Sequence, residues 1–155
     1  MEIRSAQTAD ADTIADQWVA LAAGQRAHGS HLSTDANRSA IREVILQRIV
    51  TDRLRVAVDD EAVVGFVMFS VETGRYEQDV VRGVVENLYV VPSARDDGIG
   101  SALLTAAEDA LAAAGVDVIS LEAMADNDGA RRFYHAHGYT PHRVEFEKST
   151  ESDTL

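Results

Sequence analysis

The sequence predicts an α+β fold, a mixed and mostly antiparallel sheet of six or seven strands with about four helices on its faces. Three observations carry that prediction. Apolar runs rich in β-branched residues follow one another at 54–58, 62–72 and 80–91, separated by short polar turns, so these strands should pair antiparallel. A long amphipathic stretch, 100–114, then separates the run 80–91 from another apolar run, 116–123. A helix joining two strands in this way is a crossover, which makes the pair parallel. A further helical pattern and a short alternating tail close the chain.

Taken in order, residues 2–6 form a short first strand around Ile3. Thr8 suits an N-cap for a helix whose apolar face is Ala11, Ile14, Ala15, Trp18, Leu21 and Ala22, with Asp10 and Asp12 at the positive end of its dipole. The stretch 24–33, with His28, Gly29 and His31, reads as a loop, and 35–50 as a second helix with Ile41, Val44, Ile45, Arg48 and Ile49 at helical spacing. Asp59, Asp60 and Glu61 turn one strand back on the next as a hairpin, and Gly65 is placed where a bulge would fall. The strand through 80–91 stops at Pro92, which cannot continue a central ladder. The crossover helix shows Ile99, Leu103, Ala106, Ala107, Ala110, Leu111 and Ala114 on one face and ends at Gly115. A last helix covers 128–137, Val144 and Phe146 alternate as one or two closing strands, and 149–155 reads as a frayed polar tail.

The turn before the crossover helix carries the chemistry. A glycine turn at a helix start points unpaired N–H groups outward at the positive end of the dipole, which suits a phosphate. Gly98 and Gly100 let a ligand oxygen approach the backbone, and Arg95 adds a planar cation. Leu103 stands where a dinucleotide fingerprint needs a small residue, and no Gly-Lys-Ser/Thr is present. The pattern Arg95-x-x-Gly98-x-Gly100 instead resembles the pyrophosphate loop of the GNAT superfamily of acetyl-CoA-dependent N-acetyltransferases. A second segment, Asn127 followed by Ala130, Phe133, Tyr134, Gly138 and Tyr139, is similar to that family's Asn…Ala-x-x-Phe-Tyr-x-x-x-Gly-Phe/Tyr pattern. The resemblance is close over 83–141 and general in the amino-terminal half.

That resemblance implies a GNAT-like fold in which the fourth and fifth strands, parallel, splay apart into a notch for pantetheine. It implies that acetyl moves directly from acetyl-CoA to a primary amine in a ternary complex. A small or polyamine-like acceptor is favoured over a protein amino terminus, and a non-catalytic acyl-CoA sensor is the alternative from another class. Residues implied in coenzyme binding are Leu88, Tyr89 and Val90 on the fourth strand, Arg95, Asp96, Asp97, Gly98, Ile99, Gly100 and Ser101 in the loop, and Asn127 and Phe133 downstream. An oxyanion donor is implied near Leu88 to Val90, at a bulge. Tyr134 stands where the family protonates the departing thiolate, and an unperturbed phenol, titrating near about pH 10, is a proton donor at neutral pH. Glu86 is the candidate base, against the alternative of a solvent-facing or salt-bridged strand glutamate. Asn127 is equally an ordinary N-cap.

Composition bounds the rest. A chain of 155 residues is read as one domain, 1–155, large enough to bury a core. It has no cysteine, which excludes disulfides, thiolate metal sites and a cysteine nucleophile. His135 and His137 are an i, i+2 pair that cannot share a metal, and no metal is expected. Twenty-six acidic residues against 14 basic, with Lys148 the single lysine, give a net charge of −12, which argues against nucleic acid. The acids are scattered, as on an acidic surface adapted to a high-salt cytoplasm, although Glu72, Glu77 and Asp79 at an acceptor cleft would attract a cationic amine. No membrane-length apolar run or signal pattern is seen, so a cytoplasmic location is expected, with a homodimer as the expected assembly.

Overall fold

The computed structural model describes residues 1–151, so the last four positions of the expected frayed tail lie outside the described residues. The chain divides into two compact units, Met1–Met124 and Ala125–Leu155.

The first unit is built on a five-stranded sheet in the order β1-β2-β3-β4-β5. Its strands are β1 (Glu2–Ser5), β2 (Leu54–Asp59), β3 (Ala62–Val71), β4 (Arg82–Val90) and β5 (Val118–Ser120). The first four pair antiparallel in sequence order, and β5 runs parallel to β4. The central β3, AVVGFVMFSV, is apolar on both sides because both of its faces are covered. On one face α1 (Ala11–Arg26) and α2 (Arg38–Val50) bring Ile14, Trp18 and Ile45 onto Leu54, Val56, Phe66, Met68 and Tyr89. On the other lies α3 (Ile99–Ala113), whose Leu103, Leu104, Ala107 and Leu111 are fully buried. Gly65 and Gly83 are required by this packing. A Cβ at Gly65 would stand 2.6 Å from the Tyr89 carbonyl oxygen, and one at Gly83 would stand 3.0 Å from Leu111.

Several boundaries differ from the sequence reading for local reasons. Thr8 does not cap α1. Residues Thr8–Asp10 form a 3-10 turn, closed by the Asp10 carboxylate, which accepts the Gln7 N–H at 2.8 Å and both Arg4 Nη groups at 2.8 and 3.2 Å. The bulge expected at Gly65 falls on Val64, since Ala57 pairs with Gly65 and Val58 with Val63. The fifth strand is three residues long, shorter than the run 116–123.

In the second unit α4 (Asp128–Ala136) is followed by residues 137–151 that form no strand. The expected sixth and seventh strands are therefore absent among the described residues. Val144 and Phe146 alternate as a strand should, but they are 66% and 91% exposed, and alternation specifies a strand only where an edge accepts it.

Candidate active site

In the first unit the site is set by where β5 stops. It pairs with β4 only across Arg82, Gly83 and Val84. From Val85 to Val90, β4 runs on with β3 on one side and, among the described residues, no strand on the other. The Val91 N–H donates to the Val64 carbonyl on β3 at 2.8 Å. Alternation along the strand then turns the amides of Leu88 and Val90 toward the open side and that of Tyr89 toward β3. The splay, rather than a bulge, thus exposes backbone donors at Leu88 and Val90.

The β4 bulge lies earlier than expected. Met68 pairs with Asn87 and Phe69 with Val85, leaving Glu86 as the extra residue. Two β4 residues opposite one on β3 bring Glu86 toward the helical layer of α1 and α2. There its carboxylate accepts Arg48 Nε at 2.8 Å and Nη2 at 2.9 Å in a fork of two parallel bonds, with both side chains largely covered. The hydrogen bonds to Glu86 raise the Arg48 pKa against its own desolvation. Arg48 had stood in the sequence among the apolar residues of α2, where nothing marked it as the partner of a strand carboxylate.

At the carboxyl end of β4, residues Pro92–Ala94 make a 3-10 turn, and the chain passes through Asp96 at φ 69° and Gly98 at φ 81° into α3. The N-cap of α3 is Gly98, which has no side chain to offer as a cap, and a Cβ there would meet nothing within 4 Å, so the approach to the helix start is not blocked at that position. Arg95, Asp96, Asp97 and Gly98 are exposed, Gly100 and Ser101 half-buried, and Ile99 buried as the first apolar contact of the helix. Arg95 reaches back, its Nε donating to the Val90 carbonyl at 2.8 Å and its guanidinium lying 5.4 Å from the Tyr89 ring centroid. The Tyr89 ring is buried beside Phe66. Glu72 accepts Gln78 Nε2 at 3.1 Å and stands 3.7 Å from Arg82, so its charge is partly met within the sheet.

The second unit holds the remaining positions. Asn127 caps α4, its Oδ1 accepting the Ala130 N–H at 3.1 Å. Gly138, at φ 90°, ends the helix, with Tyr139 N–H donating to the Tyr134 carbonyl and Gly138 N–H to that of His135, both at 3.0 Å. That double closure explains why glycine and then an aromatic follow Phe133 and Tyr134 at this spacing. Phe133 and Tyr134 meet edge to face at 5.4 Å between centroids, and Tyr134 meets Tyr139 at 6.1 Å. Burial pushes the Tyr134 phenol above its ordinary pKa. Among the described residues no group of three His, Cys, Asp or Glu side chains could hold a metal, and no helix is long and apolar enough to cross a membrane.

A sheet that opens beside an uncapped, glycine-led helix start belongs to a class of α+β protein able to hold a phosphorylated ligand at the helix and its far end along a strand edge. The chain belongs to the acetyltransferase (GNAT) family, which it matches over residues 21–139. By fold it is similar to a GCN5-related N-acetyltransferase from Ralstonia eutropha, at 25% identity and TM-score 0.77, covering 97% of this chain and 99% of that one. A variant of the BH1408 protein from Bacillus halodurans is similar at 21% identity and TM-score 0.79, covering 97% and 100%. An aminoglycoside N-acetyltransferase in complex with CoA shares 21% identity at TM-score 0.73, covering 96% and 94%. No curated protein matches the chain in sequence. Family and fold make this protein an N-acetyltransferase that uses a coenzyme A thioester.

Proposed function

We propose that the enzyme transfers acetyl directly from acetyl-CoA to the primary amine of a small, cationic, polyamine-like acceptor. The observation that carries this reading is the open edge of β4, Val85 to Val90, which ends at the uncapped α3 turn. Backbone amides of Gly98, Ile99, Gly100 and Ser101, with the exposed Arg95 to Asp97 segment, take the pyrophosphate. Asp96 and Asp97 contribute through the backbone, since their carboxylates repel an anion. Leu88 and Val90 offer amides to the pantetheine arm and to the oxygen that becomes negative in the transition state. Asn127 and Phe133 are assigned to the coenzyme as well. The two units act as one catalytic domain, a reading supported by a family match that runs across their boundary.

Direct transfer needs a neutral amine, and Glu86 is the proposed base, acting on the ammonium itself or through one water. Arg48 aims that carboxylate through two guanidinium hydrogen bonds, which an amine or water must share to reach it. Tyr134 is the proposed acid for the leaving thiolate, and its raised pKa keeps it protonated across neutral pH. The net charge of −12 favours cationic acceptors and disfavours nucleic acid, and the setting proposed is the cytoplasm.

The Arg48 pairing favours one second reading, in which Glu86 is structural and the domain binds acyl-CoA without turnover. A panel of polyamines, an aminoglycoside and a free-amino-terminal peptide, read by coenzyme A release, separates the alternatives. Turnover best with a polyamine supports the proposal, turnover confined to the peptide replaces its acceptor, and binding without release makes the domain a sensor. In an active enzyme Glu86→Gln should lower kcat by about 100-fold, within the usual range for a lost general base.

A further inference from the structure

One face of β3 and β4 leads from Glu86 to a cavity at the turn that joins the two strands. A Cβ on Gly83 would meet Leu111 of α3, so Gly83 and Val85 face that helix. By alternation Arg82 and Val84 face the opposite side, which is the side of Glu86. The Glu72 N–H donates to the Arg82 carbonyl at 2.8 Å, and the pairing of Val71 with Gly83 sets Glu72 directly across from Arg82, on that same side. The packed core on this side ends at Met68, and Ser70 and Val84, next along the sheet, are half-buried. At the far end Glu72, Tyr76, Gln78 and Arg82 line a cavity of about 150 Å³. A single water needs only about 10–15 Å³, so there is room for an ammonium group and the carbons next to it.

We infer that this cavity holds the far amine of the acceptor while the near amine stands at Glu86, which makes Glu72 the residue that selects a diamine or longer polyamine over a monoamine. The inference rests on the proposed transfer at Glu86. Gln78 Nε2 donates to Glu72 Oε1 at 3.1 Å, and Arg82 Nε stands 3.7 Å from Oε2, beyond hydrogen-bond reach, so the carboxylate keeps lone pairs for an ammonium. With its amide nitrogen committed to Glu72, Gln78 has its oxygen as a second acceptor. Tyr76 lines the cavity yet is 79% exposed, which leaves a ring face for a cation. Between positions 72 and 82 the acids Glu72, Glu77 and Asp79 outnumber Arg75 and Arg82, so the local field favours a cation over an anion. A strand rises about 3.3 Å per residue, so β4 covers about 13 Å from Arg82 to Glu86, and the two nitrogens should stand on the order of 10 Å apart. That separation fits an extended triamine or a long diamine and exceeds a short one.

The test compares straight-chain diamines of increasing length with monoamines of matching length, read by coenzyme A release from the full chain. For the diamines kcat/KM should climb to an optimum where the nitrogens stand about 10 Å apart, and the monoamines should show no such optimum. Glu72→Gln, at an exposed residue, should cut the preference for the best diamine over its matching monoamine at least about tenfold, through KM rather than kcat, the scale of a lost hydrogen bond to a charged group. A parent enzyme that acetylates monoamines as well as diamines of every length overturns the inference and leaves the transfer at Glu86 standing. So does a Glu72→Gln variant whose preference is undiminished or whose loss lies in kcat alone. A chain that acetylates no amine removes the transfer itself, and the inference with it.

Discussion

Asp10 shows how one side chain sets a local structure and leaves a trace in solution. It is almost fully buried, and the hydrogen bonds from Arg4 lower its pKa more than desolvation raises it. A carboxyl whose folded pKa lies below its unfolded value contributes stability in full above the unfolded value and loses it as pH falls through the folded one. Asp10→Asn should therefore cost about 1–3 kcal/mol at neutral pH, the range for hydrogen bonds to a charged group. In urea melts the gap between variant and parent should close as the pH drops below about 4, the ordinary carboxylate value. At the other end of the chain Tyr134→Phe keeps the ring and its packing on Phe133 and Tyr139 while removing the proton. It should lower kcat at least about 100-fold and leave acetyl-CoA affinity within about twofold, read by single-turnover kinetics and titration. Residue types and their spacing made the glycine turn at Gly98 and Gly100 legible in the sequence as the start of α3, while Tyr134 was singled out by the family resemblance. Arg48 was not visible, because the contact with Glu86 spans 38 residues and depends on a bulge that no local pattern encodes.

Elements were legible to the extent that their own residues determine them. The helices α1, α2, α3 and α4 lie where apolar periodicity places them, and the parallel β4/β5 pair follows from the crossover. Strand ends were less legible, since β5 stops where pairing to β4 ends rather than where its apolar run ends, and the bulges fall at Val64, one residue before Gly65, and at Glu86, ahead of the Leu88 to Val90 stretch. Position matters most at the start of α3. Gly98 occupies a left-handed conformation with open space around it, so a larger residue there strains the turn without colliding with the core. Gly98→Val should cost about 1–2 kcal/mol in thermal stability through that strain. It should also weaken acetyl-CoA binding by at least about tenfold in calorimetric titration, since branched carbons then stand before the helix amides. Loss of stability with unchanged affinity would move the coenzyme away from this turn.

For the whole molecule, charge and ligand define the remaining expectations. A net charge of −12 spread over 155 residues destabilises a compact state by self-repulsion, and salt relieves it. The midpoint of thermal unfolding should rise between low and multimolar salt, and a flat or falling midpoint would remove the high-salt reading of the composition. The absence of cysteine gives the decisive measurement a clean background, because a thiol reagent can report nothing but released coenzyme A. With acetyl-CoA and a polyamine, the full chain should liberate thiol in proportion to acetylated amine, and only when both substrates are present. A chain that neither binds acetyl-CoA in titration nor releases thiol with any primary amine would contradict the proposed transfer and the placement of its coenzyme at the α3 turn.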